Sequence, residues 1–510
     1  VLLADVAATS AALAATRSRL AKRTLLVDLL RRTAPAEVPV VARYLSGELR
    51  QRRTGLGWRS LRDLPAPAAD PTLDVLAVDA TFERMSALAG PGSAGARSAL
   101  AADLFGAATA DEQRLLAGLV AGELRQGALD ALLLDAVAEA SGADPAAVRR
   151  AAMLAGATEP VAQAALAAPD PESATAALTG FGLTVGRPVR PMLAASAPDV
   201  ATAVAGFEGR AAVVDAKLDG IRVQVHREGD DVRVFTRSLD DITARVPEVV
   251  TAVRALPVTS VVLDGEALAL DADGRPRPFQ ETAARSATRD AEIAATTTLT
   301  PFFFDVLHRD GTDLLDAPLT DRLAVLDAIA PAHTVQRVVT SDPEVAQEAF
   351  AGWVAAGQEG VVVKDAAAPY EAGRRGGAWV KVKPRHTLDL VVLAVERGSG
   401  RRAGLLSNIH LGARDGDGGF VMLGKTFKGM TDEVLAWQTA RFRDLETADD
   451  GWTVTLRPEQ VVEIAFDGVQ RSTRYPGGLA LRFARVLRYR EDKTAAEADT
   501  VQAVRALLPR

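Results

Sequence analysis

The sequence predicts three successive domains: an all-α domain over residues 1–183, an α+β domain over 184–385 and a small β-barrel domain over 386–510. Three observations lead there. The 510 residues correspond to about three domains at roughly 150 residues each. The texture changes twice, from Ala/Leu-rich helical spacing, to strands with helices between them, to short strands separated by glycine turns. Hydrophobic residues make up 48% and charged residues 25%, a globular mixture that can bury several cores.

Composition removes whole classes of chemistry. Cysteine is absent, which excludes a disulfide framework, a thiolate zinc site, an iron–sulfur cluster and a cysteine nucleophile. With 59 basic and 66 acidic residues the net charge is −7. A uniform basic coat is excluded, but a local basic face is not. The start Val1-Leu2-Leu3-Ala4-Asp5 has no basic leader, and runs such as Val361-Val362-Val363 are too short to span a bilayer. A cytoplasmic protein with no membrane partner is expected.

In the first domain Leu25, Leu26, Leu29 and Leu30 recur at helical spacing, and Leu115, Leu119 and Leu124 continue in that style. Ala34-Pro35, Pro65-Ala66-Pro67 and Gly90-Pro91-Gly92 mark breaks. Gly47-Glu48-Leu49-Arg50-Gln51 returns as Gly122-Glu123-Leu124-Arg125-Gln126. Chance in a biased composition competes with two similar helical halves. Arg43, Arg50, Arg52, Arg53, Arg59 and Arg62 crowd around Gly55-Leu56-Gly57, either a solvated face or a phosphate-binding one.

In the second domain, Val223 and Val225 alternate with polar residues, and Glu228-Gly229-Asp230-Asp231 turns the chain into 232–236, a hairpin. Val261-Val262-Leu263 leads to the turn Asp271-Ala272-Asp273-Gly274, and helices are expected around 320–330 and 343–356. The third domain shows strands at 390–395, 420–423, 461–465 and 479–486, with one helix near 431–447. Five or so short strands with one helix fit an oligonucleotide-binding (OB) barrel. A hinge is expected at Pro384-Arg385-His386-Thr387.

Lys217 ends the apolar strand that carries Val213 and Val214, and a glycine turn follows it. A lysine amine, with a pKa of about 10.4 in water, becomes nucleophilic when desolvation or nearby cations disfavour the ammonium. Alone, this is an ordinary surface lysine. Trp379, Lys381 and Lys383 share one face of a strand. Ammonium groups about 7 Å apart repel unless an anion such as a polyphosphate sits with them. A solvated edge is the bland alternative. Glu359 and Lys364 bracket an apolar strand, and Asp264 and Glu266 are placed at the end of another. Such carboxylates beside a polyphosphate suit Mg²⁺, although salt bridges would explain them too. Gly419–Thr426 satisfies a Walker A pattern, but its centre, Phe420-Val421-Met422-Leu423, wants burial in a strand and not a phosphate loop.

Read in order, Lys217-Leu218-Asp219-Gly220-Ile221-Arg222, Thr236-Arg237-Ser238, Leu263-Asp264-Gly265-Glu266, Phe304-Asp305, Glu359-Gly360-Val361-Val362-Val363-Lys364 and Trp379-Val380-Lys381-Val382-Lys383 resemble the covalent nucleotidyltransferases. The closest resemblance is to ATP-dependent DNA ligases of the bacterial and archaeal three-domain type. Leu481-Arg482-Phe483-Ala484-Arg485 and Arg490-Glu491-Asp492-Lys493 resemble that family's last motif, and the helical region resembles its DNA-binding domain. The three domains would then be a helical DNA-binding domain, an adenylation (nucleotidyltransferase) domain and an OB-fold domain.

The resemblance implies that Lys217 becomes adenylylated. It implies ATP contacts from Asp215, Arg222, Arg237, Glu266, Phe304, Arg375, Lys381, Lys383, Arg490 and Lys493, with Phe304 stacking on adenine and Arg490 and Lys493 meeting the pyrophosphate. Glu266 and Glu359 would help hold Mg²⁺, and Arg50, Arg52, Arg53 and Lys425 would meet DNA. The implied partner is nicked duplex DNA, the implied state a monomer, and the implied roles repair, replication and recombination. Asp215 stands where the family often has Glu, Ala484 where Pro is frequent, and Arg237-Ser238-Leu239 departs from the commoner second motif. The rival readings are an RNA ligase or another covalent nucleotidyltransferase, and a decayed DNA-binding protein. The long helical domain opposes the former; Lys217, Glu266, Glu359, Lys381 and Lys383 together oppose the latter.

Overall fold

The computed structural model describes residues 1–51, 53–124, 126, 130–288, 297–371, 377–399 and 402–508. The N-terminal region is helical. Ten α-helices among the described residues run from Leu3–Ala15 to Pro171–Thr179, and their apolar faces merge into one core that reaches from Leu3 to Leu178. Leu26, Leu29 and Leu30 are buried there, while Leu25 packs at its margin. Polar caps start several helices: Ser18, Asp144 and Asp170 each accept a backbone N–H, and Thr109 with Glu112 forms a reciprocal capping box. Among the described residues no helix is long and apolar enough to cross a membrane.

The repeated pentapeptide marks a junction in this region. Gly47 and Gly122 follow the helices Val38–Leu45 and Ala110–Ala121 and take left-handed φ values of 83° and 66°, which favour glycine. A Cβ on Gly47 would lie 3.6 Å from Leu124 Cβ, so the two turns touch. Gln51 and Gln126 are both buried. Gln126 donates to the Leu45 carbonyl and accepts from Ser10 Oγ at 2.7 Å.

Among the described residues the central region holds ten strands: β1 (Ala195–Ser196), β2 (Ala212–Lys217), β3 (Ile221–Glu228), β4 (Asp231–Thr236), β5 (Ser260–Ala269), β6 (Leu299–Arg309), β7 (Thr312–Asp313), β8 (Arg337–Thr340), β9 (Gly360–Asp365) and β10 (Trp379–Val382). They form two five-stranded sheets, ordered β1-β10-β9-β2-β8 and β4-β3-β5-β6-β7. The helices Leu319–Ile329 and Pro343–Ala355 lie where helical stretches were expected. One expectation is corrected. Asp264 and Glu266 sit in the middle of β5, because its apolar alternation continues through Ala267 and Ala269 into the core.

The C-terminal region adds β11 (His386–Arg397), β12 (Leu406–Arg414), β13 (Phe420–Thr426), β14 (Glu446–Asp449), β15 (Thr453–Leu456), β16 (Val461–Phe466), β17 (Gly468–Arg471), β18 (Leu479–Arg482) and β19 (Arg485–Arg490), with the helix Asp432–Asp444. The first half of β11 pairs with β16 and its second half with β15, so one long strand serves two neighbours. The arrangement is OB-like, but a closed barrel is not found: among the described residues the ladder runs β13-β12-β11-β15-β14, with β16 and β19 branching from β11. The strand read across 479–486 is broken in two at Phe483, whose φ is 54°. The Walker-like segment lies in β13, as its apolar centre requires.

Candidate active site

The cleft between the two central sheets collects the charged residues of the motifs, and strand alternation explains why. On β2 the period of two turns Val213, Asp215 and Lys217 to one face while Val214 enters the opposite core. Direct cross-strand neighbours share a face. Asp215 faces Val362 on β9 and Arg337 on β8, Lys217 faces Gly360, and Lys381 on β10 faces Val362. Arg222 on β3 lies opposite Glu266 on β5, and Asp264 shares the face of Glu266. Two glycines let neighbouring strands within each sheet approach closely. A Cβ on Gly360 would stand 2.2 Å from the Val382 carbonyl oxygen, and one on Gly220 would stand 2.4 Å from that of Ala267.

Glu359 is the hub. Its carboxylate meets the ammonium groups of both Lys217 and Lys383, and Lys217 Nζ also donates to the Leu218 carbonyl at 3.3 Å. Burial pushes the Glu359 carboxyl up, but the two lysines outweigh it and leave the group below its ordinary value. Glu266 goes the other way. Burial raises it to about 7, with Lys217 and Arg222 offsetting only part of that effect. The cleft thus holds one firmly anionic carboxylate and one that titrates near neutrality.

Arg222 is bound to Asp264 through two hydrogen bonds of 3.0 and 2.6 Å, donates to the Met192 carbonyl at 2.7 Å, and lies 5.4 Å from the Phe304 ring centre. Tyr370 supports it by donating to Asp264 at 2.7 Å. Asp215 meets Lys364 at 2.6 Å. A carboxylate this enclosed needs a counter-charge, and the buried lysine supplies it. Lys364 is 1% exposed and lies over both Phe304 and Trp379, at 4.6 and 4.3 Å from their centres. Arg237 borders an open groove of about 550 Å³ that Gly220, Arg222, Arg245 and Phe279 also line.

The remaining candidates lie elsewhere. Arg490 and Lys493 are not among the cleft contacts; both are held by Asp389 on β11, at 3.0 and 2.6 Å. A different part of the C-terminal region docks instead. Arg482 bonds Asp219 at 2.5 and 3.3 Å, and Asp467 meets Lys383 at 3.1 Å. Arg482 belongs to one of the sequence motifs, but its partner Asp219, 263 positions away, is not legible in it, and Asp467, 84 positions from Lys383, carries no local mark at all. Arg50 is taken by Asp79 and Glu83, each at 2.8 Å, and Lys425 by Glu396, while Arg53 is exposed. Arg52 and Arg375 lie outside the described residues.

The family profile described as ATP dependent DNA ligase domain matches residues 191–383, and that of the ATP dependent DNA ligase C terminal region matches 402–493. A probable DNA ligase of Beutenbergia cavernae is 73% identical over 508 residues, and one of Kineococcus radiotolerans is 64% identical over 511; each alignment covers 99% of both chains. The solved structure Pmar-Lig_PreS3 has a TM-score of 0.62 over 95% of this chain and 99% of its own, at 19% identity, a likeness of fold.

Proposed function

The chain belongs to the ATP-dependent DNA ligase family, it seals nicks in duplex DNA with ATP as co-substrate, and from that premise we propose how its own residues do so. Lys217 Nζ attacks the α-phosphorus of ATP; an N–P bond forms, the bond to the β-phosphate oxygen breaks, and pyrophosphate leaves. AMP then passes from Lys217 to the 5′-phosphate of the nick. The 3′-hydroxyl attacks that activated phosphate, closing the backbone and releasing AMP. Positioning and charge stabilisation carry such transfers. Lys381 and Lys383 serve the α-phosphate, Phe304 stacks on the base, and Arg222 and Arg237 hold sugar and phosphates. Glu266, with its pKa near 7, is suited to take the proton that Lys217 must lose.

The carboxylates fit Mg²⁺. Among the described residues no three His, Cys, Asp or Glu side chains cluster into a metal cage, but magnesium typically takes one or two carboxylates and completes its shell with phosphate and water. Glu359 would hold it, Glu266 would join only in the later steps after passing on the proton taken from Lys217, and the ion would neutralise charge on the phosphates. In the proposed three-domain layout, residues 1–183 grip DNA through Arg50, Arg52 and Arg53, 184–385 carry the chemistry, and 386–510 turn about the segment near Pro384. Arg490 and Lys493 would leave Asp389 to meet pyrophosphate in the first step, and Lys425 would turn to DNA afterwards. The enzyme would work as a monomer on cytoplasmic DNA.

The observation that carries this reading is Lys217 at the end of β2, facing Glu359 in a cleft with Lys381, Lys383 and Arg222. Incubation with α-labelled ATP and magnesium, followed by a denaturing gel, tests it. Wild type should retain label in an acid-labile, base-stable bond and Lys217→Ala should not. Label on Lys217→Ala would overturn the assignment.

A further inference from the structure

The hairpin of β17 and β18 brings two opposite charges to the cleft. Arg482 closes β18, opposite Gly468, and bonds Asp219. Asp467 stands one residue before β17, and its amide donates to the Arg482 carbonyl at 3.0 Å, so the two residues arrive together. The carboxylate is the unexpected half of this contact. Asp467 Oδ2 accepts from Lys383 Nζ at 3.1 Å, and Lys383 is one of the two lysines read as serving the α-phosphate.

Lys383 therefore has an anion on each side. Glu359 meets it from within the central region, and Asp467 meets it from the C-terminal region. Burial pushes the Lys383 ammonium down, but the two carboxylates outweigh it and hold the group above its ordinary value. The side chains of Lys383 and Asp467 are only 20% and 22% exposed, so salt and water screen the pair little. An α-phosphate that approaches Lys383 meets a carboxylate already bonded to the ammonium, and the two anions repel. Glu359 is no such obstacle to movement, because its amide donates to the Lys217 carbonyl at 2.9 Å and ties it to β2 wherever the C-terminal region lies. Asp467 travels with the hairpin. It is not stranded when it leaves Lys383, since Arg485 of its own region stands 3.9 Å from its other oxygen. A buried carboxylate without any counter-charge would be costly, and this one has a partner in either position.

We propose that Asp467 competes with the α-phosphate for Lys383, so that docking of the β17–β18 hairpin and binding of ATP oppose each other. The proposal rests on the reading that Lys383 serves the α-phosphate. The opposition is reciprocal: a contact that weakens ATP binding is itself weakened by ATP to the same extent. Nucleotide binding thereby frees the hairpin from the cleft before the first chemical step.

Asp467→Asn keeps the shape and the main-chain bond and removes the charge. In single-turnover formation of the lysine adduct it should lower the half-saturating ATP concentration at least about 5-fold, the low end of coupling between two sites, with the rate at saturation nearly kept. Calorimetric titration with AMP and with adenosine separates competition for a phosphate from a general loosening of the cleft. Asp467→Asn should bind AMP more tightly by a similar factor, and should bind adenosine, which has no phosphate, as wild type does. Asp467→Ser repeats the removal of charge should the Asn variant fold poorly. Equal gains for AMP and adenosine, or no gain for AMP and ATP in the folded neutral variant, would overturn the proposal. Lys383→Met should bind AMP more weakly than wild type; if it does not, the reading of Lys383 fails. Absence of any wild-type adduct with ATP would instead overturn the reading of Lys217, and the two titrations would still decide the role of Asp467.

Discussion

Glu266 and Glu359 share one cleft and titrate in opposite directions, because burial dominates the first and two lysines the second. With Glu266 near 7, adduct formation should speed up as pH rises through neutrality and this carboxyl becomes able to accept the Lys217 proton. Glu266→Gln should lose that limb, and single-turnover rates across the pH range check it; an unchanged limb would remove Glu266 from the step. The same shift has a sign in stability. A carboxyl raised in the folded state holds its proton after the unfolded chain has lost it, so stability falls as pH rises from the ordinary glutamate range to about 7. Melting curves of Glu266→Gln should lack that decline. Below the cleft, Arg322 and Asp305 are both fully buried and bonded at 2.7 and 2.9 Å. Arg322→Met strands the carboxylate and should cost about 3–5 kcal/mol in urea unfolding, much of it regained in Arg322→Met/Asp305→Leu.

Among elements, the C-terminal region carries two basic surfaces, and in this structure one of them meets the cleft. Arg482 and Phe483 flank the break between β18 and β19. Arg482 bonds Asp219 next to the motif lysine, and the Phe483 ring lies 5.7 Å from Lys383 Nζ. Arg490 and Lys493, at the far end of β19, are meanwhile neutralised by Asp389. β18 and β19 belong to different sheets, so the two surfaces lie on separate elements and we expect them to serve different steps. Arg482→Ala should therefore slow sealing of a pre-adenylylated nick by about tenfold, near the 1.4 kcal/mol of one charge-assisted contact, and spare lysine–AMP formation. Lys493→Ala should show the reverse pattern. Equal defects of both variants on the pre-adenylylated nick would contradict a division of labour between the two surfaces.

For the whole molecule, the joint between the helical region and the cleft decides what can be removed. Met153 and Leu154 pack in one cluster with Met192, Leu307, Tyr370 and Trp379, and Arg150 bonds Asp316 at 2.8 and 2.7 Å. Deleting residues 1–183 would remove the proposed DNA grip and also uncover the cluster that these residues share with the central region. The truncated protein should still form the lysine adduct, melt at a lower temperature, and lose the steep salt dependence of nick binding that arginine–phosphate contacts confer. Binding measured at several salt concentrations checks this; a truncated protein that binds and seals nicks as the full chain does would show that the grip lies elsewhere.

Periodicity and local chemistry determined the elements and the residue types of the site. Alternation put Lys217 of β2 and Lys381 of β10 on strand faces, although Lys383 falls one residue beyond β10, and apolar residues inside the Walker-like segment identified a strand. These are properties of neighbours in the chain, which sequence records directly. The tertiary structure alone decided the pairings. It is what puts Glu359 between Lys217 and Lys383, Asp264 on Arg222, Lys364 on Asp215 and Asp467 on Lys383. It also moved Asp264 and Glu266 from the end of a strand to its middle, broke a strand at Phe483, and set Arg337 opposite Asp215. The physical reason is that the charge state and availability of a buried side chain depend on what stands opposite it across a sheet or cleft, and that partner comes from a distant part of the chain.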